Sequence, residues 1–155
     1  MNSTHKQNIF PAGWPGGYTL IETLISLFLL TTALLGLAAL YAISLKSSHG
    51  ATMHDLATMQ GMGMVERIRA NPSAVDAGTY LGLSGEPSGT DCTTAHCDPE
   101  NMARFDFREW NRQNASMLPS GTGDISNPAG NMYQVTITWA DGEATPSYSL
   151  TFYPR

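Results

Sequence analysis

Few side chains in this sequence have the types and spacing to do chemistry. The first is Glu22, a lone carboxylate within the apolar run that opens at Gly16-Gly17-Tyr18-Thr19-Leu20-Ile21-Glu22 and continues to Leu45. A charge near the centre of a membrane helix costs about 2.5 to 3.5 kcal/mol, and Glu22, less deep, costs less; either it finds a partner or it snorkels to the interface. A second group is Cys92 and Cys97 with His96 beside them. In an exported domain two cysteines this close can bond to each other, a small loop worth roughly 2 kcal/mol on chain-entropy grounds. A metal site using His96 is the alternative, but zinc takes four ligands and no second Cys or His cluster lies near in sequence. The third group is Arg104, Arg108 and Arg112, one helical face at (i, i+4) spacing, which can meet an anionic partner or, interleaved with Asp106 and Glu109, form a solvated face.

The remaining candidates point away from catalysis. There is no Gly-x-Ser-x-Gly, no His-Glu-x-x-His and no phosphate loop, and Ser84 in Leu83-Ser84-Gly85 reads as a turn. Met53, Met59, Met62 and Met64 offer sulfur to a metal, but the simpler reading is that they fill a core. No catalytic residue, metal or cofactor is expected. The net charge of −5, with all 13 acidic residues after residue 17, argues against nucleic acid as a partner.

Glu22 is carried by an apolar segment long enough to matter. Residues 18–45 number about 28, and a helix of that length reaches roughly 42 Å, more than a hydrocarbon core of about 30 Å. The segment has no Pro and only Gly36 as an internal weak point, so its backbone can satisfy its own hydrogen bonds as lipid requires. Before it, residues 1–17 hold Lys6, no acid, Pro11, Pro15 and several glycines, and read as a polar leader. An ordinary secretory signal would carry small residues at a cleavage site after the apolar run, and no Ala-x-Ala stands there.

From Lys46 the pattern turns amphipathic without a break until Asn71-Pro72, which predicts one helix continuing through 46–71 and ending near Ala70. Met53, Leu56, Ala57, Met64 and Ile68 share a face, interrupted by Gln60 and Arg67. Gly50, Gly61 and Gly63 each cost about 1 kcal/mol against Ala, so packing on a domain must hold this half. Residues 72–155 form that domain. Residues 73–95 read as loop, with Tyr80-Leu81-Gly82-Leu83 a candidate edge strand. Asp98-Pro99-Glu100 starts a helix whose Met102, Ala103, Phe107, Trp110, Met117 and Leu118 lie on one broad side, ended by Pro119-Ser120-Gly121. Tyr133 to Trp139, and Tyr148, Leu150 and Phe152, alternate apolar with polar, which predicts an antiparallel hairpin against the amphipathic helix, with Gly123 to Ser126 a possible third strand. The expected class is α+β.

Gly17-Tyr18-Thr19-Leu20-Ile21-Glu22, behind a short polar leader and opening a long apolar helix, resembles the processing site of type IV prepilins and pseudopilins. The resemblance implies cleavage between Gly17 and Tyr18 by a membrane peptidase, N-methylation of Tyr18, and an assembly role for Glu22, five residues into the mature chain. Tyr18 stands where the family most often has Phe. Met64-Val65-Glu66-Arg67-Ile68-Arg69-Ala70-Asn71-Pro72, the cysteine pair followed by Asp106-Phe107-Arg108-Glu109-Trp110, the Leu118-Pro119-Ser120-Gly121 break and the Tyr133 to Trp139 strand look like minor pilins of the PilV type. That family implies a pilin-like fold and a place among subunits that initiate or modify a type IV pilus. Implied partners are other minor and major pilins, the prepilin peptidase and the inner-membrane assembly platform. Implied too are a single pass of the inner membrane and a periplasmic body. A minor pseudopilin of a type II secretion system shares every one of these N-terminal features; a signal-anchored periplasmic enzyme shares only the anchor.

The expected mature protein begins at Tyr18. Intact-mass measurement on protein from a strain carrying the peptidase should give the mass without residues 1–17 plus one methyl group, and Gly17→Ala should slow or block the cut. Met1 retained in such a strain would exclude the family.

Overall fold

The computed structural model describes residues 19–154. The chain divides between Ser44 and Leu45 into two units. A single helix, α1 (Leu20–Ala70, 51 residues), runs through that division. It is followed by α2 (Pro72–Asp76), a 3-10 turn (Thr79–Gly82), α3 (Pro99–Met117) and strands β1 (Thr122–Ser126), β2 (Tyr133–Thr138) and β3 (Ser147–Phe152). Helices and a small antiparallel sheet make this an α+β arrangement.

In the second unit, α1 buries Ala57, Gly61, Met64, Val65 and Ile68, with Met53 and Leu56 half-buried beside them. The expected stripe is there, widened by a glycine. A Cβ on Gly61 would lie 3.1 Å from Cε1 of Tyr148 and 3.7 Å from Cδ1 of Ile137, so the missing side chain lets the sheet come close to the helix backbone. Met59 and Met62, expected in the core, are 70% and 56% exposed. They sit between the buried positions of the turn rather than on them, and Gly61 and Val65 fill the stripe instead.

Helix α1 ends where Asn71-Pro72 predicts, for a fuller reason than a proline stop. Asn71 leaves the helical region at φ −123°, its side-chain oxygen accepts from the Ala74 N–H at 3.4 Å, and Pro72 opens α2. Its Nδ2 donates to the Pro99 carbonyl at 2.8 Å, tying this corner to the start of α3. Residues 73–95 are thus not all loop. The expected edge strand at Tyr80 to Leu83 is instead the 3-10 turn, because Gly78 at φ +67° reverses the chain after α2 and directs the wholly buried Tyr80 into the core.

Helix α3 is capped as its sequence predicts. The Asp98 carboxylate accepts from the Asn101 N–H at 2.7 Å, and Pro99 opens the helix. Ala103, Phe107 and Trp110 are buried, as is Leu118 just beyond the helix. Met117, expected on that side, is 48% exposed, and Asn114 takes the buried position one turn before Leu118. The Asn114 side-chain amide has no hydrogen-bond partner among the described residues, a condition that costs about 1–3 kcal/mol.

The sheet order is β1-β2-β3, antiparallel throughout. Tyr133 faces Phe152, Val135 faces Leu150 and Ile137 faces Tyr148, so the alternation in both strands puts one set of side chains on the core. The third strand pairs Ile125 with Val135 and begins one residue earlier than expected, at Thr122. At Gly123 a Cβ would overlap the Trp110 ring. That ring packs on β1 while its Nε1 donates to the Gln60 carbonyl of α1 at 3.0 Å, so one side chain joins α3 to both other layers.

Gly123→Ala should therefore destabilise the domain by about 1–3 kcal/mol through overpacking, read as a lower urea midpoint with quenched Trp fluorescence altered. Ala at exposed Gly63, with open space around its Cβ, should leave stability equal or higher.

Candidate functional site

The first turn of α1 is built around Thr19 and Glu22. Thr19 precedes the helix, its carbonyl accepts from the N–H groups of Glu22 (3.0 Å) and Thr23 (3.2 Å), and its hydroxyl oxygen accepts from the Glu22 N–H at 3.4 Å. Thr19-x-x-Glu22 is thus half of a capping box, with Glu22 at the third helical position, where a carboxylate also meets the positive end of the helix dipole. The signal was in the sequence, hidden under the apolar reading of the same residues. The Glu22 carboxylate has no partner among the described residues and is exposed. Gly17 and Tyr18, the expected processing site, lie outside the described residues.

Every side chain from Leu20 to Leu45 is exposed, including Leu24, Phe28, Leu35, Leu40 and Ile43. None of the most apolar stretch is buried, so it is not the core helix of a soluble fold, and it is long and apolar enough to cross a membrane. Its threonines suit lipid. Thr23 donates to the Leu20 carbonyl at 2.8 Å, Thr31 to Phe28 at 2.9 Å and Thr32 to Leu29 at 2.9 Å, so each hydroxyl proton is satisfied within the helix.

The second unit holds the other candidates. Cys92 and Cys97 are bonded to each other, with Cα atoms 5.6 Å apart, which leaves no thiolate for a metal. His96 is exposed, and among the described residues no group of three or more His, Cys, Asp or Glu could hold a metal ion. The disulfide loop lies between two local acid caps. Asp91 accepts from both the Thr93 hydroxyl (2.7 Å) and its N–H (2.9 Å), which holds the Asp91 carboxyl below its ordinary value; the Asn101 N–H does the same for Asp98.

The arginine row is spent inside the domain. Arg104 pairs with Glu100 at 2.6 Å and Arg112 with Glu109 at 3.5 Å. Arg108 donates to the carbonyls of Pro87 (3.1 Å), Gly89 (3.4 Å) and Thr90 (3.4 Å) and lies over the Phe105 ring, so it ties the preceding loop to α3. A polar cluster that the sequence did not suggest joins α1 to α3: Arg67 lies 3.6 Å from Asp106, and the Tyr80 hydroxyl donates to the same carboxylate at 3.4 Å. Burial raises the Asp106 carboxyl above its ordinary value, opposed by Arg67 and Tyr80, and burial together with Asp106 raises Tyr80 strongly. Arg67, a break in the apolar stripe by sequence, finds its partner on another helix.

No protein-family model, no curated protein and no solved structure matches the chain.

The raised Asp106 has a definite consequence for pH. Folding favours its protonated form, so that contribution to stability is full below the ordinary value of 3.8 and is lost as pH rises through the raised value. Asp106→Asn removes it, while Asp91 and Asp98, which act in the opposite sense at lower pH, are common to both proteins. The stability of Asp106→Asn relative to the parent should therefore rise with pH above 3.8. Urea midpoints of both proteins across pH 3 to 7, about where carboxylates titrate, test this; a flat difference would mean that Asp106 titrates normally.

Proposed function

We propose that this protein is a membrane-anchored filament subunit, a minor pilin of a type IV pilus, that works by assembly and not by catalysis. In this reading a prepilin peptidase removes residues 1–17 and methylates Tyr18. The helix holds the chain in the inner membrane with its body in the periplasm. The assembly platform and the major and other minor pilins are its partners. The single observation that carries the reading is a carboxylate without a partner among the described residues, Glu22, in the first turn of a helix whose apolar side chains are all exposed from Leu20 to Leu45. Such a surface has to be covered by lipid, by other helices, or by each in turn.

Helices covered by leucine alone can slide past one another, because lipid tails are as apolar as leucine. One buried charge removes that freedom. After cleavage the Tyr18 amine remains cationic, and in a staggered bundle it can pair with the Glu22 carboxylate of a neighbour. An unpaired charge in an apolar bundle costs several kcal/mol, so only the offset that pairs the two is favourable. Glu22 then sets register.

The Thr19 capping geometry favours a second, purely local role for Glu22, the starting of α1. Substitution separates the two. Glu22→Gln keeps the backbone N–H that Thr19 caps but removes the charge, whereas Thr19→Ala removes the cap and keeps the charge. The register role predicts that Glu22→Gln and Glu22→Ala insert and are cleaved yet are lost from complexes co-purified with other subunits from detergent extracts. It predicts that Thr19→Ala is recovered nearly as the parent, a cap being worth about 1 kcal/mol. Recovery of Glu22→Gln at the parent level would leave Glu22 as a helix start and end the register argument.

A further inference from the structure

The sheet has two edges, and they are not alike. At β1 the edge is taken by α3: the Asn111 side chain accepts from the Gly123 N–H at 2.6 Å and donates to the Gly123 carbonyl at 3.2 Å. No strand or side chain among the described residues does this for β3, which is paired on one side only. Nor does β3 carry a charged side chain, a proline or a bulge, the devices that keep an edge from pairing with another chain. The Trp139 N–H donates to the Pro146 carbonyl at 3.2 Å, which fixes the phase of the ladder. Tyr148, Leu150 and Phe152 therefore turn their backbone groups to β2, while Ser147, Ser149 and Thr151 turn theirs outward.

The layer beneath that edge is unfinished as well. Tyr148 and Leu150, on the core face of β3, are only half-buried. Beside them runs the face of α1 that carries Asp55, Met62 and Arg69 at heptad spacing. Two contacts place that face along β3. At one end Tyr148 packs on Gly61 and edge-on to His54, with ring centroids 6.3 Å apart; at the other the Arg69 guanidinium lies 5.5 Å over the Phe152 ring. Met62, between those contacts and 56% exposed, extends the apolar surface of Tyr148 and Leu150 past the edge. The two ends differ in charge. Asp55, next to His54, and Asp141 and Glu143 in the β2–β3 turn lie toward the Ser147 end, and none of the three is in an ion pair among the described residues. Arg69, at the Phe152 end, is paired with Glu66 at 3.3 Å. An extended segment laid on this edge pairs its backbone with Ser147, Ser149 and Thr151, sets alternate side chains on Leu150 and Met62, and meets acid at one end.

We infer that the open edge of β3 binds an extended segment of another protein, antiparallel to β3, with apolar side chains toward α1 and a lysine or arginine at its C-terminal end, beside Asp55, Asp141 and Glu143. The inference does not depend on the filament reading. A blocked peptide of alternating valine and threonine that ends in a pair of lysines, titrated into the full chain in detergent, should bind with Kd on the order of 1 mM or tighter. Methylating its backbone nitrogens on the edge that meets β3 should abolish binding, and methylating those on its far edge should not. Ser149→Pro removes an outward N–H and no bond to β2, so it should weaken the peptide about tenfold with little change in urea midpoint. Ser149→Ala, which loses only the hydroxyl bond to Thr136, should bind as the parent. Met62→Lys, at a side chain already exposed, puts a charge under the apolar residues of the peptide and should also weaken it about tenfold; it decides alone if Ser149→Pro does not fold. No binding, affinity unchanged in both Ser149→Pro and Met62→Lys, or equal binding when glutamates replace the lysines would overturn the assignment. So would a dimer of the chain itself that Ser149→Pro dissociates, which would give the edge to a second copy.

Discussion

Everything in this protein depends on one uninterrupted helix having two different surfaces. From Leu20 to Leu45, α1 is apolar on every side, and from Met53 to Ile68 it is apolar on one. Helix propensity alone would not keep the second half intact, since Gly50, Gly61 and Gly63 each cost about 1 kcal/mol relative to Ala. The domain repays that cost through contacts that need the helix backbone to be bare: the Tyr148 ring against Gly61, and the Trp110 indole on the Gln60 carbonyl. A glycine that looks like a defect in the isolated helix is the point of closest packing in the folded chain.

Two tryptophan-scale anchors and one ion pair then fix the helix against the sheet and α3. Trp110 lies between β1 and α1, with Gly123 making room for its ring. His54 packs edge-on to Trp139, at 5.3 Å between ring centroids. Arg67 reaches Asp106 on α3, and that carboxylate also receives the Tyr80 hydroxyl, so the irregular segment after α1 is held by the same group that joins the two long helices. Such a half-buried pair adds little net stability, because desolvation offsets attraction, but it penalises a helix rotated away from its partner.

The fold was legible wherever a pattern repeated over several residues. Alternation in Tyr133 to Trp139 and Tyr148 to Phe152 specified which face of β2 and β3 is buried, and Asp98-Pro99 specified where α3 starts. What was not legible depended on partners distant in sequence. Met59 and Met62 differ from Met64 only in azimuth on α1, and hydrophobicity does not distinguish them. Asn114 occupies a buried position that helical spacing would give to an apolar residue, and no local signal marks it. The Tyr80 turn reads as a strand from composition, because the reversal at Gly78 and the hydrogen bond to Asp106 lie outside the window that composition samples. At the candidate site, a helix long and apolar enough to cross a membrane was plain in the apolar run, whereas the Thr19 cap was masked by it.

That cap bears on how a carboxylate can persist at the head of a helix apolar enough to cross a membrane. Capping uses the Glu22 backbone N–H, not its side chain, so the local role leaves the carboxylate oxygens unspent. The helix dipole contributes about 0.3–1 kcal/mol to an acid in the first turn, less than the 2.5–3.5 kcal/mol that a charge costs near the middle of a membrane. The dipole therefore makes the charge tolerable near the interface and leaves a deficit once other helices displace the interfacial water. A deficit of that size suits a reversible switch. Under the filament reading it is small enough for a single subunit to wait in the membrane and large enough, when the charge is enclosed without a counter-ion, to reject a misaligned neighbour. Under the filament reading, the local cap and the intermolecular pair are not competing uses of Glu22, because the first employs its backbone and the second its side chain.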